Sequence, residues 1–256
     1  MGDRLGFGVA GIAGRMGRML VEEIAAAGAR LSGGIDRVGA VVEAPLFADI
    51  AALAAASELV IDFTHASTVP AHAQALAAAG TIWILGTTGL SAEDEACVAE
   101  AAKSIPVVYA PNFAPGVNLV LALAEKMAAA LPAAVYDAEI VEMHHRQKVD
   151  APSGTAIGMG RAVARGRGVE LADVMESGRD GHTGARKTGA IGFAALRGGQ
   201  VVGEHTLLFA SGDEHIALTH RAFDRRAFAA GAVRAALWVR GKPAGIYAMT
   251  DVLGIG

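Results

Sequence analysis

A single cysteine in 256 residues, Cys97, excludes an internal disulfide framework and points to a reducing compartment. A basic excess is missing too. Lys and Arg number 22 against 26 Asp and Glu, a formal net charge of −4 with a pI near 6.1, which argues against nucleic acid as a partner. The opening "MGDRLGFGVAG" carries an acid and turns glycine-rich at once, with no apolar signal core. Residues 66 to 92 lack formal charge, but Pro70, His72, Gln74, Gly80 and several threonines interrupt them. They read as a buried helix and strand rather than a membrane span. No internal repeat or low-complexity linker stands out. These absences predict a soluble, cytoplasmic, globular chain, long enough for one domain or two.

What is present is an alternation. Short apolar runs, "LGFGVAG", "RLSGGID", "LVIDF", "TIWILG" and "IPVVYA", are separated by helical stretches, "RMGRMLVEEIAAAG", "STVPAHAQALAAAG" and "SAEDEACVAEAAK". The last has Ser91 as N-cap and acids in its first turn. Such alternation predicts parallel strands with helices on both faces. After "APNFAPGVN" the style changes. A helix "VNLVLALAEKMAAAL" leads to a strand "YDAEIVEMHH", then a helix from about Thr155, a glycine-rich span over 177–200, and two alternating runs, "VVGEHTLLFA" and "EHIALTHRAF". Successive strands without helices predict an antiparallel or mixed sheet. A final helix, "RRAFAAGAVRAALWVRG", returns to the first style. The expected fold is α/β. Residues 1–114, completed by 225–256, form a Rossmann-like doubly wound parallel sheet. Residues 115–224 form a second, α+β domain on a mixed or antiparallel sheet.

"GVAGIAGRMG" places Gly11, Gly14 and Gly17 after the first strand, at the mouth of the first helix. The spacing is G-x-x-G-x-x-G, with a small Ala13, so the backbone can approach a pyrophosphate where free N–H groups favour an anion. Asp36 ends the second strand, 22 residues after Gly14, where an acid meets ribose hydroxyls; the alternative is a loop acid capping a turn. Arg37 follows and could hold a 2′-phosphate, so NADH and NADPH both remain open. "GTTG", residues 86–89, and "APNF", residues 110–113, close two further strands of the same sheet, where ligands of open parallel sheets lie. Taken singly, either is as easily an ordinary turn.

"EMHHRQKVDAPSGTA", residues 142–156, gathers His144, His145, Arg146 and Lys148 and runs into a helix start at Pro152, Ser153, Gly154 and Thr155. Metal is not expected. Adjacent histidines on a strand point to opposite faces, and no H-E-x-x-H or cysteine partner is present. A solvated basic loop accounts for Arg146 and Gln147 but not for the helix start, whose unpaired N–H donors suit an anion. With Lys148 at the same end, the combination suits a small carboxylate substrate, and a histidine and lysine that move protons.

Together with "IDFTHAS", "GHTGARKTGAIGF" and "THRAFDRRAFAAGAVRAALW", these segments resemble the bacterial 4-hydroxy-tetrahydrodipicolinate (dihydrodipicolinate) reductases over nearly the whole chain. H-H-x-x-K-x-D-x-P-S-G-T-A is the most specific motif. The resemblance implies hydride transfer from NADH or NADPH to a cyclic, unsaturated dicarboxylic amino acid of lysine and diaminopimelate synthesis. It implies a pyrophosphate loop of Gly11, Ile12, Ala13, Gly14, Arg15 and Met16, with Asp36 and Arg37 at the adenosine end. Gly86, Thr87, Thr88, Ala110, Pro111, Asn112 and Phe113 become further cofactor contacts. His144 and Lys148 match acid–base positions; His145, Gly154 and Thr155 match substrate contacts, and Ser153 stands with them at the helix opening. A homotetramer built through the second domain's sheet is implied as well. Two departures are a short alanine-rich connection between Arg37 and "SELVIDF", where many members are longer, and Asp36, where glutamate is common. His182 is a candidate for the active-site side of its loop. His65, His72, His205, His215 and His220 are expected to serve packing or hydrogen bonding. Rival readings are another NAD(P)-dependent dehydrogenase of an amino acid or semialdehyde, and a non-catalytic dinucleotide sensor; neither accounts for "HHRQKVDAPSGTA".

Overall fold

The computed structural model describes residues 6–255, so Met1 to Leu5, including the first residue of the "LGFGVAG" run, lie outside it. The chain divides into two compact units. One holds the described residues up to Pro115 together with Arg226–Gly254, and the other holds Gly116–Arg225.

In chain order the first unit runs β1 (Gly6–Ala10), α1 (Arg15–Ala26), β2 (Arg30–Ile35), α2 (Ile50–Ala55), β3 (Leu59–Asp62), α3 (Val69–Ala79), β4 (Ile82–Leu85), α4 (Ala92–Ala101) and β5 (Pro106–Tyr109). The second contributes α5 (Pro115–Ala130), β6 (Asp137–His144), α6 (Gly154–Arg167), α7 (Leu171–Val174), β7 (Met175–Ser177), β8 (Ile191–Arg197), β9 (Gly203–Ala210) and β10 (His215–Ala222). The chain then re-enters the first unit with α8 (Arg226–Trp238), β11 (Gly245–Tyr247) and α9 (Met249–Leu253).

The first sheet is six-stranded and parallel throughout, in the order β11-β5-β4-β3-β1-β2. The direction of winding reverses between β1 and β3, which places the crevice of a doubly wound sheet at their carboxyl ends. Apolar residues pack on both faces. Leu20 and Ile24 of α1 join Ala232, Val233 and Ala236 of α8 over Phe7, Val9 and Ile61, while Leu53, Val69, Leu76 and Val98 pack on the other side against Val60, Trp83 and Leu85. Local chemistry starts and stops these helices. Ser91 and Asp94 exchange hydrogen bonds in a capping box that opens α4, and Asp49 accepts the Ala52 N–H to open α2.

The second sheet is mixed, in the order β10-β9-β6-β8-β7. Strand β6 is parallel to β8 and antiparallel to β9, and β9 is antiparallel to β10. Its core face carries Ala138, Ile140, Ile191, Phe193, Leu207 and Phe209 against Val120 and Ala124 of α5 and Met159 and Val163 of α6. The span 177–200, which reads as merely glycine-rich, contains β8. "IGFAALR" is flanked by Gly189, Gly198 and Gly199, whose turn character masks the strand between them. The short elements α2, α7, β7, β11 and α9 also have no counterpart among the expected elements.

Candidate active site

The residues with chemistry fall into two groups, one in each unit. In the first unit, four strand ends supply turns in sheet order. After β1, the N–H groups of Gly11 and Ile12 donate to the Ile35 carbonyl at 2.9 and 3.2 Å. The first intrahelical bond of α1 is Arg18 N–H to Gly14 carbonyl at 3.1 Å, so the N–H groups of Arg15, Met16 and Gly17 belong to the open first turn. A Cβ on Gly17 would lie 2.2 Å from the Gly11 carbonyl oxygen; only glycine lets the helix start so close to the loop. Asp36 is tied into the same loop. Its Oδ2 accepts the Ala13 N–H at 2.7 Å and its Oδ1 accepts the Arg37 N–H at 2.8 Å, while the Arg37 side chain is exposed.

The turns after β4 and β5 adjoin this loop through β3. Asp62, fully buried, accepts from the Thr64 N–H and hydroxyl, from His72 Nδ1 at 2.7 Å and from Trp83 Nε1 at 3.3 Å, fixing Phe63 and Thr64 beside Gly11. The Phe63 ring stands where a Gly86 Cβ would be, 2.3 Å away, and meets the Phe113 ring with centroids 5.6 Å apart. Thr87 is buried with its hydroxyl toward the Thr64 carbonyl, Thr88 and Pro111 are exposed, and Asn112 accepts the Ala114 N–H. Two expectations are sharpened here. Ile12 has its side chain in the core and its N–H bonded within the sheet, and Phe113 is 1 % exposed. Both shape the loops from below. The Phe63–Thr64 turn is missing from the sequence-derived set, although a strand-end acid followed by Phe-Thr marks it.

These residues fit a nicotinamide dinucleotide. An open helix turn with no side-chain cap meets an anion, a glycine backbone allows its approach, and each Asp36 oxygen retains a lone pair for a hydroxyl.

The second group grows from strand periodicity. On β6, alternate residues Ala138, Ile140, Glu142 and His144 face the buried side, so two polar groups end an otherwise apolar row. Glu142, 1 % exposed, is a junction. Its Oε2 accepts from His144 Nδ1 at 2.6 Å, its Oε1 accepts from the Ser153 N–H at 3.1 Å, and the Arg197 guanidinium grips both oxygens at 2.8 Å. Arg197 reaches this point because it sits opposite His144 in the β6–β8 register. Burial opposes the Glu142 charge, but Arg197, His144 and the Ser153 N–H outweigh it and hold the carboxyl below the usual range. With the carboxyl ionised, the shared proton belongs to His144 Nδ1. Burial pushes the His144 imidazole down, and Glu142 opposes this without cancelling it, while Lys148 and Arg197 push the same way as burial.

Ser153 caps α6. Its hydroxyl accepts the Ala156 N–H at 3.2 Å and lies 3.0 Å from His205 Nε2, and the residue is 2 % exposed. Ser153 thus has protein partners at both its N–H and its hydroxyl. Gly154 is exposed, with nothing within 4 Å of where its Cβ would be, and Thr155 is half-buried. His205 lies opposite Glu142 on β9, and His220 lies opposite His205 on β10. The His205 ring is 5.0 Å from that of His144 and 6.5 Å from that of His220. Burial first, then the neighbouring His144, drives the His205 imidazole down to about 4. His205 and His220 thus belong to the cluster, brought there by strand pairing that no local motif announces. His145 turns its Nδ1 into the protein without a partner, and Lys148 bonds Asp150 at 2.8 Å, holding that carboxyl low. Arg146, Gln147 and His182 are exposed.

Comparison with known proteins decides the family. The model described as "Dihydrodipicolinate reductase, N-terminus" matches residues 5–113, and the one described as "Dihydrodipicolinate reductase, C-terminus" matches residues 116–253. The chain belongs to the dihydrodipicolinate reductase family. It is 73 % identical over 252 residues to a 4-hydroxy-tetrahydrodipicolinate reductase of Granulibacter bethesdensis, covering 97 % of this chain and 96 % of the relative. Against the reductase of Acidiphilium cryptum it is 62 % identical over 254 residues, 99 % of each chain. A solved dihydrodipicolinate reductase from Paenisporosarcina, with dipicolinate bound, shares the fold at a TM-score of 0.80 and 24 % identity, over 97 % of this chain and 99 % of that one. The activity is the family's: NAD(P)H-dependent reduction of 4-hydroxy-tetrahydrodipicolinate, a cyclic dicarboxylate, to tetrahydrodipicolinate. No helix among the described residues is long and apolar enough to cross a membrane.

Proposed function

We propose that Lys148 and His144 manage the proton of this reduction and that the opening of α6 holds a substrate carboxylate. The observation that carries the reading is the Glu142–His144 pair. With Nδ1 fixed on the carboxylate at 2.6 Å, proton exchange by His144 is confined to Nε2, in a cluster where the Lys148 charge is felt. NADH or NADPH supplies the hydride when bound, on the loop Gly11–Met16 with Asp36 and Arg37 at its adenosine end. Electron density added to the conjugated ring has to be quenched by a proton. The Lys148 ammonium is the donor, and neutral His144 assists through Nε2. The carboxylate is met by the backbone N–H groups of Gly154 and Thr155 and by His145. The test is the solvent deuterium isotope effect on kcat. It should be clear in the wild type and change in Lys148→Ala; an unchanged effect places the proton elsewhere.

We further assign the working form as a cytoplasmic homotetramer assembled through the second sheet. Support comes from Val141, 41 % exposed, and Leu196, 51 % exposed, apolar neighbours on the sheet face turned away from α6. Sedimentation should give a mass near four chains.

A further inference from the structure

We propose that Glu142 is a positioning residue: one carboxylate fixes the tautomer of His144 and the backbone that opens α6. The inference rests on reading His144 as a proton-transferring group. Four N–H donors converge on the two oxygens, namely His144 Nδ1 and Arg197 Nη1 on Oε2, and the Ser153 N–H and Arg197 Nη2 on Oε1. Every lone pair of the carboxylate is thereby occupied. Arg197 is held in turn by the carbonyls of Leu196 and Asp150, both at 2.6 Å, so the clamp is anchored from two sides.

Such a junction accepts an amide only by losing donors. In Glu142→Gln the –NH₂ displaces one Arg197 N–H in either orientation, and beside it faces either the Ser153 N–H, which cannot become an acceptor, or His144 Nδ1, which can. The histidine therefore yields: it gives up its Nδ1 proton, accepts there from the amide, and carries its proton on Nε2 instead. The charges facing the ring make this change one-sided. Arg197 on β8 and Lys148 in the loop both disfavour the imidazolium, His205 on β9 and His220 on β10 are themselves held neutral by burial, and Asp150 is engaged by Lys148. Without the Glu142 charge, the protonated ring loses the neighbour that favoured it most.

Nitrogen NMR of histidine-labelled enzyme reads this directly, with a His144→Gln spectrum for assignment. In the wild type the neutral His144 ring should carry its proton on Nδ1, a result that needs no variant at Glu142. In Glu142→Gln the proton should move to Nε2. The limb of the kcat–pH profile belonging to His144 should shift to lower pH. kcat should fall by roughly 10²-fold or more, the scale for a proton-transferring histidine held in the wrong tautomer, with cofactor KM unmoved. An Nε2–H ring in the wild type, or a Glu142→Gln enzyme with the Nδ1–H ring and an unshifted profile, overturns the positioning role. Wild-type kcat in His144→Ala would instead overturn the proton-transfer reading beneath it.

Discussion

Asp36 grips the glycine loop through Ala13, whose N–H it accepts at 2.7 Å across 23 residues of sequence. The acid is thus preset before any cofactor arrives, with one oxygen on the loop and the other on the Arg37 N–H. A ribose diol can use the remaining lone pairs, whereas a 2′-phosphate in the same place would be repelled by the carboxylate and drawn to Arg37. Asp36→Ala should weaken NADH by one to about 3 kcal/mol and NADPH by less, the smaller loss reflecting the slackened loop. Arg37→Ala should do the reverse. Dissociation constants for both cofactors in both variants check this; equal losses throughout would remove the assignment.

Gly154 offers a clean steric test, because nothing beyond its chain neighbours and the backbone of its own helix lies within 4 Å of its missing Cβ. Gly154→Val should fold normally yet fill the space in front of the α6 N-terminus. Calorimetry should show lost binding of pyridine-2,6-dicarboxylate, a flat dicarboxylate, with cofactor affinity near normal. Undiminished inhibitor binding would put the carboxylate elsewhere.

His205 should make stability depend on pH. Its folded value of about 4 lies below the ordinary ~6.5, so the unfolded chain takes up the proton first as pH falls. The stabilisation is complete above about pH 6.5 and is lost between there and about pH 4, on the order of 3 kcal/mol in total. Glu142, held low, adds a second loss only below the usual carboxylate range near ~4.3. Urea midpoints across this span should slope in the wild type and slope less steeply in His205→Gln, where His144 and His220, also pushed down, account for what remains. A parallel slope in the variant would contradict the assignment.

Much of the fold was legible because its signals are local. The strands β1 to β5 are buried parallel strands and read as short apolar runs, and Ser91 with Asp94 announces α4 within four residues. Strand β8 was hidden by its flanking glycines, and α2 is too short for a helical period to develop. The site divides in the same way. His144, Lys148 and the α6 opening share one stretch of fifteen residues. Glu142 sat in that stretch unrecognised, since an acid two positions before a histidine is unremarkable until the strand period puts both on the buried face. Its partners were beyond reach. Arg197 lies 55 residues from Glu142, and His205 lies 52 residues from Ser153, each brought in by a strand register that no local pattern specifies.

Steady-state oxidation of NADH and NADPH with freshly made 4-hydroxy-tetrahydrodipicolinate, compared between wild type, Lys148→Ala and His144→Ala, bears on the proposed chemistry most directly. The wild type should turn over, and each variant should lose ~10²–10⁴ in kcat while still binding the dinucleotide. Wild-type kcat with only a raised KM in both variants would reduce the pair to substrate binding and require another source for the proton.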